Sequence, residues 1–206
     1  MAFERNVFIN CPFDDNYLPL LRPLLFSVLY LGLEPCIASG ELNSAQHRFK
    51  KIIQLDVKSK YAIHDLSRIQ AQKKGEFFRL NMPFELGLDI GCQSFKGGRW
   101  QGKKCLILEV ERYRYQAAIS DLSNSDIASH KANPATLVFE VRNWLDAQAG
   151  LHAPGPTKVW ANFNDFMAGN YDKLKELHYS DQDIERLPVP DLIKCIKQWC
   201  AANPWE

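Results

Sequence analysis

An open parallel α/β sheet with helices on both faces, followed by a mostly helical C-terminal extension, is the fold class this sequence predicts. Two observations carry the prediction. Short apolar runs, at Val7 to Cys11, Glu34 to Ala38, Lys60 to His64 and Lys104 to Val110, alternate with segments whose apolar residues recur at helical spacing. The connections between them are short, and such alternation builds a parallel sheet covered on both faces. Ligands then sit at the C-terminal edge of the strands.

Taken in order, Val7 to Cys11 reads as a buried first strand, ended by Pro12 and the polar loop Asp14-Asp15-Asn16. A helix over Tyr17 to Leu31 follows, with Leu20, Leu21, Leu24, Leu25, Val28 and Leu29 at helical spacing. Pro19 suits its first turn, Pro23 kinks or delays it, and Gly32 stops it. Its polar face is thin, which suits either an assembly face or a helix buried under the C-terminal part. A second strand covers Glu34 to Ala38, and a second helix Ser44 to Val57 sets Phe49, Ile52, Ile53 and Val57 on one face. The third strand ends in His64-Asp65. A third helix begins in the segment Asn81-Met-Pro-Phe-Glu85, placing Glu85 in its first turn, and the fourth strand is Lys104 to Val110. Beyond residue 110 the alternation breaks, and amphipathic helices lie around Leu137 to Leu145 and Leu192 to Cys200, with Pro154-Gly-Pro156 and Pro188-Val-Pro190 as breakers. The predicted organisation is a core over 1–110 and a helical extension over 111–206, packed on it as one compact unit.

Composition narrows the function classes. The 25 Lys and Arg balance 24 Asp and Glu, so net charge supplies no argument for a nucleic-acid or anionic-membrane partner. No apolar stretch has the length of a bilayer span, and the first residues lack the pattern of a secretory signal. The six cysteines are scattered without a C-x-x-C pair, which fits reduced thiols in a cytoplasm and predicts no metal site.

Three constellations meet at the predicted strand edge. Asn10 and Asp14 or Asp15 can hold ribose hydroxyls, although Asp15 or Asn16 can equally cap the next helix. Asp65, with His64 beside it, can bind sugar hydroxyls or donate a proton, or can simply satisfy loop amides. Glu85 is a carboxylate among Met82, Pro83, Phe84, Leu86 and Leu88. It is either a capping-box acid, with Asn81 or Met82 as the cap, or a tuned catalytic group facing His64-Asp65. Gly87 and Gly91 would let this helix approach the sheet or a ligand closely. The run Lys96 to Lys104 has the glycines and cations of a phosphate loop but precedes a strand, so it reads as a turn. Ser120 to His130 reads as a lid carrying Asp121, Asp126 or His130, or as a capped helix start.

The strand-loop Phe8-Ile-Asn10-Cys-Pro12-Phe13, the strand ending in Asp65 and the helix start Phe84-Glu85-Leu-Gly87 together resemble the nucleoside 2-deoxyribosyltransferase-like proteins and the related TIR domains. The resemblance covers about residues 5 to 110 and implies a flavodoxin-like fold. It implies Glu85 as the nucleophile and Asp65 as the other catalytic, substrate-contacting acid, with Asn10, Pro12, Phe13, Asp14, His64 and Asn81 around the substrate. Asn81 stands where the transferases often carry an acid, so the residue that would assist a leaving base is absent. The implied activity is cleavage of the N-glycosidic bond of NAD or a related nucleotide, with NAD as substrate and no cofactor, in the setting of antiphage defence. A nucleoside 2-deoxyribosyltransferase using Asp65 or Asp126 as proton donor, and a nucleotide-sensing or self-assembling homo-oligomeric module, are the alternatives.

Overall fold

The computed structural model describes residues 2–38, 47–69, 74, 80–117, 119–122 and 126–205. Five parallel strands, β1 (Asn6–Asn10), β2 (Glu34–Ile37), β3 (Tyr61–Asp65), β4 (Lys104–Glu109) and β5 (Ile127–Ser129), form one sheet in the order β2-β1-β3-β4-β5. This is a doubly wound order, with the change of direction between β1 and β3, where a crevice opens at the strands' C-terminal ends. The open parallel sheet of the sequence prediction is therefore present. It is one strand wider than expected, because β5 lies inside the segment read as a lid or helix start.

The α-helices of the described chain are α1 (Ala2–Arg5), α2 (Leu18–Tyr30), α3 (Arg48–Val57), α4 (Asn81–Phe95), α5 (Pro134–Ala149), α6 (Pro156–Glu176), α7 (Asp181–Glu185) and α8 (Val189–Ala202). Strand parity assigns the faces. Val7, Ile9, Tyr61, Ile63, Leu106 and Leu108 point to the side of α2, α5, α6 and α8, where they join the largest core cluster. Phe8 and Ala62 point the other way, to Cys36, Ile52 and Leu55, and Ile107 meets Met82 and Leu86 of α4.

Helix α2 runs through Pro23 without stopping, although that residue can give no backbone hydrogen bond to Pro19. Packing holds it there: Leu24, Leu25, Phe26 and Val28 are fully buried, and α2 touches α5, α6 and α8 as well as the sheet. Its apolar polar-face-poor sequence thus belongs to a helix sandwiched between layers. Asn133 starts α5 by accepting a hydrogen bond from the Thr136 amide at 2.9 Å, and Gly150 ends it in the left-handed conformation.

Other expectations shift. The described part of the second helix starts at Arg48, the expected Ser44 start lying outside the described residues. Its inward face is Ile52 and Leu55, while Phe49 and Ile53 are exposed. Residues Gly98–Gly102 form a short turn of 3₁₀ helix, as the turn reading required. The sheet continues past residue 110 and α5 packs against α2, so the helical extension shares the central core. No described helix is long and apolar enough to cross a membrane.

Ile196, fully buried on α8 within this core, offers a test. Ile196→Ala should lower the unfolding free energy by about 2–5 kcal/mol in a single denaturant transition. Unchanged stability, or two separate transitions, would show the C-terminal helices folding apart from the sheet.

Candidate functional site

At the C-terminal end of β1, beside the change of direction in the sheet, lies a cavity of about 290 Å³, at the small end of ligand sites. Asn10 and Cys11 form its floor, Ala38 and Arg48 one wall, and Asn81, Met82 and Glu85 of α4 the other, with Phe13 at the rim. Glu85 is the fifth residue of α4, in the second turn rather than the first, and Leu80 occupies the N-cap position without a side-chain cap. The capping-box role is thereby removed.

Glu85 is only 9% exposed, and no hydrogen bond or ion pair joins its carboxyl to any described residue. Burial pushes it up from an ordinary 4.5 to about 7, with the charge of Arg48 opposing. Cys11 feels the same surroundings: burial first, then the charges of Asp65, Glu85 and Asp14, push its thiol well up, so it stays protonated and unreactive.

Asp65 does not share the cavity. Tyr61, Ile63 and Asp65 alternate onto the α2 and α5 face, whereas Ala62 and His64 alternate onto the α3 and α4 face. There Asp65 is fully buried, accepting from Tyr17 Oη at 2.5 Å and the Ser67 amide at 2.8 Å, with His130 Nε2 at 3.2 Å. The Ala132 amide donates to His130 Nδ1 at 3.1 Å, which leaves Nε2, the atom near Asp65, as the ring's donor. Burial disfavours the charge on Asp65, but His130, Ser67 and Tyr17 outweigh it and hold the carboxyl low. The expected catalytic acid is thus fully buried and paired on this face. His130, read as a lid residue, is its partner.

His64 is fully buried beneath the cavity. Asn10 Nδ2 lies 2.9 Å from His64 Nδ1 and 2.9 Å from the Met82 carbonyl oxygen, and His64 Nε2 lies 3.3 Å from Asp89 Oδ2. Asp89 Oδ1 is 2.9 Å from the Lys103 ammonium, which also meets Asp56 Oδ1 at 3.0 Å and the carbonyls of Asp56 and Ser59. Burial, then Asp89, push Asp56 up to about 7 despite Lys103. For Asp89, burial is outweighed by the hydrogen bonds of His64 and Asp56 and by Lys103, which hold it well below the carboxylate range. The ammonium is therefore matched first by Asp89, while burial beside Asp89 makes Asp56 the harder of the two to ionise. His64, Asp89 and Cys105 bring ligand atoms within 4.8 Å of one another, but Lys103 already supplies the cation there.

Of the remaining sequence candidates, Phe13 and Asn81 line the cavity, Pro12 is buried outside it, and Asp14 pairs with Arg68 at 3.2 Å. Neither Asp15 nor Asn16 caps α2, whose N-cap position is Tyr17. Gly87 and Gly91 are not close-approach positions, since a Cβ at Gly87 would meet nothing within 4 Å and one at Gly91 only Phe95 at 3.9 Å. Arg48, Asp89 and Lys103 were not anticipated. Asp89 carried a signal, being four residues after Glu85 on one helix face.

No family model, no curated protein and no solved structure matches this chain.

The buried Glu85 makes a prediction about stability. Below pH 4.5 it is protonated folded and unfolded. As pH rises toward about 7 the unfolded chain ionises first, the folded state binds more protons, and stability falls. Glu85→Gln should therefore be about 3 kcal/mol more stable than wild type at pH 8 and nearly equal at pH 4, by denaturant unfolding. An equal difference at both pH values would mean that Glu85 is not buried in its charged form.

Proposed function

We propose that this protein cleaves the N-glycosidic bond of NAD or a related nucleotide, with the Glu85 carboxylate facing the anomeric carbon. One observation carries the reading: a nine-tenths buried carboxyl, without a hydrogen-bonding partner among the described residues, stands in a small cavity at the strand edge where the sheet changes direction. The resemblance to deoxyribosyltransferase-like and TIR proteins supports the same assignment from the sequence side.

The transition state of such a cleavage is oxocarbenium-like, so an ionised Glu85 acts by stabilising that charge or by forming a glycosyl ester. Glu85 is the one carboxyl among the described cavity-lining residues. A single carboxyl suits nicotinamide, which is a cationic ring while bonded to the sugar, keeps the C–N bonding pair as it departs neutral, and needs no proton. It suits an ordinary nucleobase poorly, because such a leaving group requires an acid. A cationic ring in the cavity also favours the ionised form of Glu85, so binding and activation of the carboxylate reinforce each other. Arg48, across the cavity, is placed to meet an anionic part of the ligand, and Phe13 to stack on a ring at the rim. Six free thiols suit a reducing cytoplasm, and a defence role follows from the TIR resemblance alone.

The deoxyribosyltransferase reading needs a proton donor, and Asp65, which the sequence offered for it, is closed off on the opposite face of the sheet. Incubation with NAD, and separately with deoxynucleosides plus free base, separates the readings by chromatography of the products. The expected outcome is nicotinamide release that Glu85→Gln lowers about a hundredfold or more, with kcat/KM rising with pH through about 7 as Glu85 ionises. Base exchange would favour the transferase. Tight nucleotide binding without turnover, indifferent to Glu85→Gln, would establish a sensor and sink the proposal.

A further inference from the structure

We propose that Asn10 is a specificity residue, whose Oδ1 accepts a hydrogen bond from a hydroxyl of the substrate sugar, and that His64 is the positioning residue that keeps this oxygen turned to the cavity. The identity of the ligand as a sugar rests on the N-glycosidic reading; the orientation of Asn10 does not.

The orientation follows from donor and acceptor chemistry. A carbonyl oxygen can only accept, so the Asn10 atom 2.9 Å from the Met82 carbonyl must be the amide nitrogen. The same nitrogen lies 2.9 Å from His64 Nδ1. Its two N–H bonds are then both committed, and His64 Nδ1 must be the bare, accepting nitrogen. With Nδ1 bare, His64 carries its proton on Nε2, which lies 3.3 Å from Asp89 Oδ2. Asp89 is fixed in turn by Lys103 at 2.9 Å. Every member of the chain agrees with the others. A turned Asn10 would press its oxygen against the Met82 carbonyl and would need a proton on Nδ1.

What remains of the Asn10 amide is Oδ1. Asn10 is 3% exposed, it lines the cavity, and Oδ1 accepts from no described residue. An acceptor oxygen open to the cavity favours an occupant that supplies a donor to it. With Glu85 ionised, the cavity presents two acceptors, Oδ1 and the carboxylate, and no competing cation on the α4 wall. Neighbouring sugar hydroxyls, each a donor, match this pair. A ligand that places an acceptor or nothing at Oδ1 leaves the oxygen unpaired. The sheet therefore sets the polarity of the cavity through a residue, His64, that touches no ligand.

Two measurements test the inference. Long-range ¹⁵N–¹H NMR of the imidazole in the ligand-free protein should show His64 protonated at Nε2 and bare at Nδ1; a proton on Nδ1 would overturn the orientation whatever the protein binds. Affinities of Glu85→Gln protein for NAD and for its 2′-deoxy and 3′-deoxy forms in the nicotinamide ribose read the contact itself. One deoxy form should bind about tenfold more weakly than NAD. That ratio should fall to near one when Asn10→Leu or His64→Leu is added. It should be retained in His64→Gln, whose amide can accept from Asn10 and donate to Asp89. Because each value is a ratio of affinities, a partly unfolded variant does not mimic the effect. Equal affinity for all three nucleotides would overturn the sugar contact, and an unchanged ratio in His64→Leu would overturn the positioning role. Failure of wild type to bind NAD at all would count against the N-glycosidic reading, while the tautomer measurement still decides the orientation of Asn10.

Discussion

The ammonium of Lys103 is the point from which the candidate site hangs. It is 1% exposed and has two carboxyls and two backbone carbonyls around it, drawn from the end of α3, the turn after it and the middle of α4. An unpaired charge at that depth would be untenable. The charge is tolerated because two carboxyls and two carbonyls surround it, and removal of one partner would cost far more than the pair contributes in net terms. Through Asp89 and His64 the same charge sets the register of Asn10 against Met82, and so the start of α4 against β1. Glu85 inherits its place from that contact.

Glu85 itself shows the opposite economy. Lys103 is surrounded by compensation; Glu85 has none among the described residues beyond the distant charge of Arg48. A fold selected for stability alone would place an apolar side chain or an amide there. Two buried acids thus lie a single turn apart on one helix, Asp89 ion-paired with Lys103 and Glu85 without a partner among the described residues.

The sheet was legible because its strands are short apolar runs bounded by breakers, and that signal survives whatever packs outside. Strand β5 was not, since Ile127-Ala-Ser129 is three residues long and offers no run to detect. Helix α6 went unread for a different reason: its buried residues Val159, Phe163 and Phe166 are diluted by polar ones that face solvent. At the site, Glu85 was found from its oddness among apolar neighbours, but its supposed partnership with Asp65 was an error of parity. Adjacent residues of a strand share an edge and not a face, so His64 belongs with Glu85 and Asp65 with Tyr17 and His130. Lys103 left no trace in the sequence because a lysine before a strand is ordinarily solvated, and only tertiary packing buries it.

Both margins of the sheet have a further property. One edge strand, β2, is four residues long and contains Pro35, which cannot donate to a neighbour; the other, β5, has three residues. Such margins are poor templates for the addition of another strand. Strand addition at either described margin is thus disfavoured, which insulates the sheet edges from polymerisation and misdirected pairing.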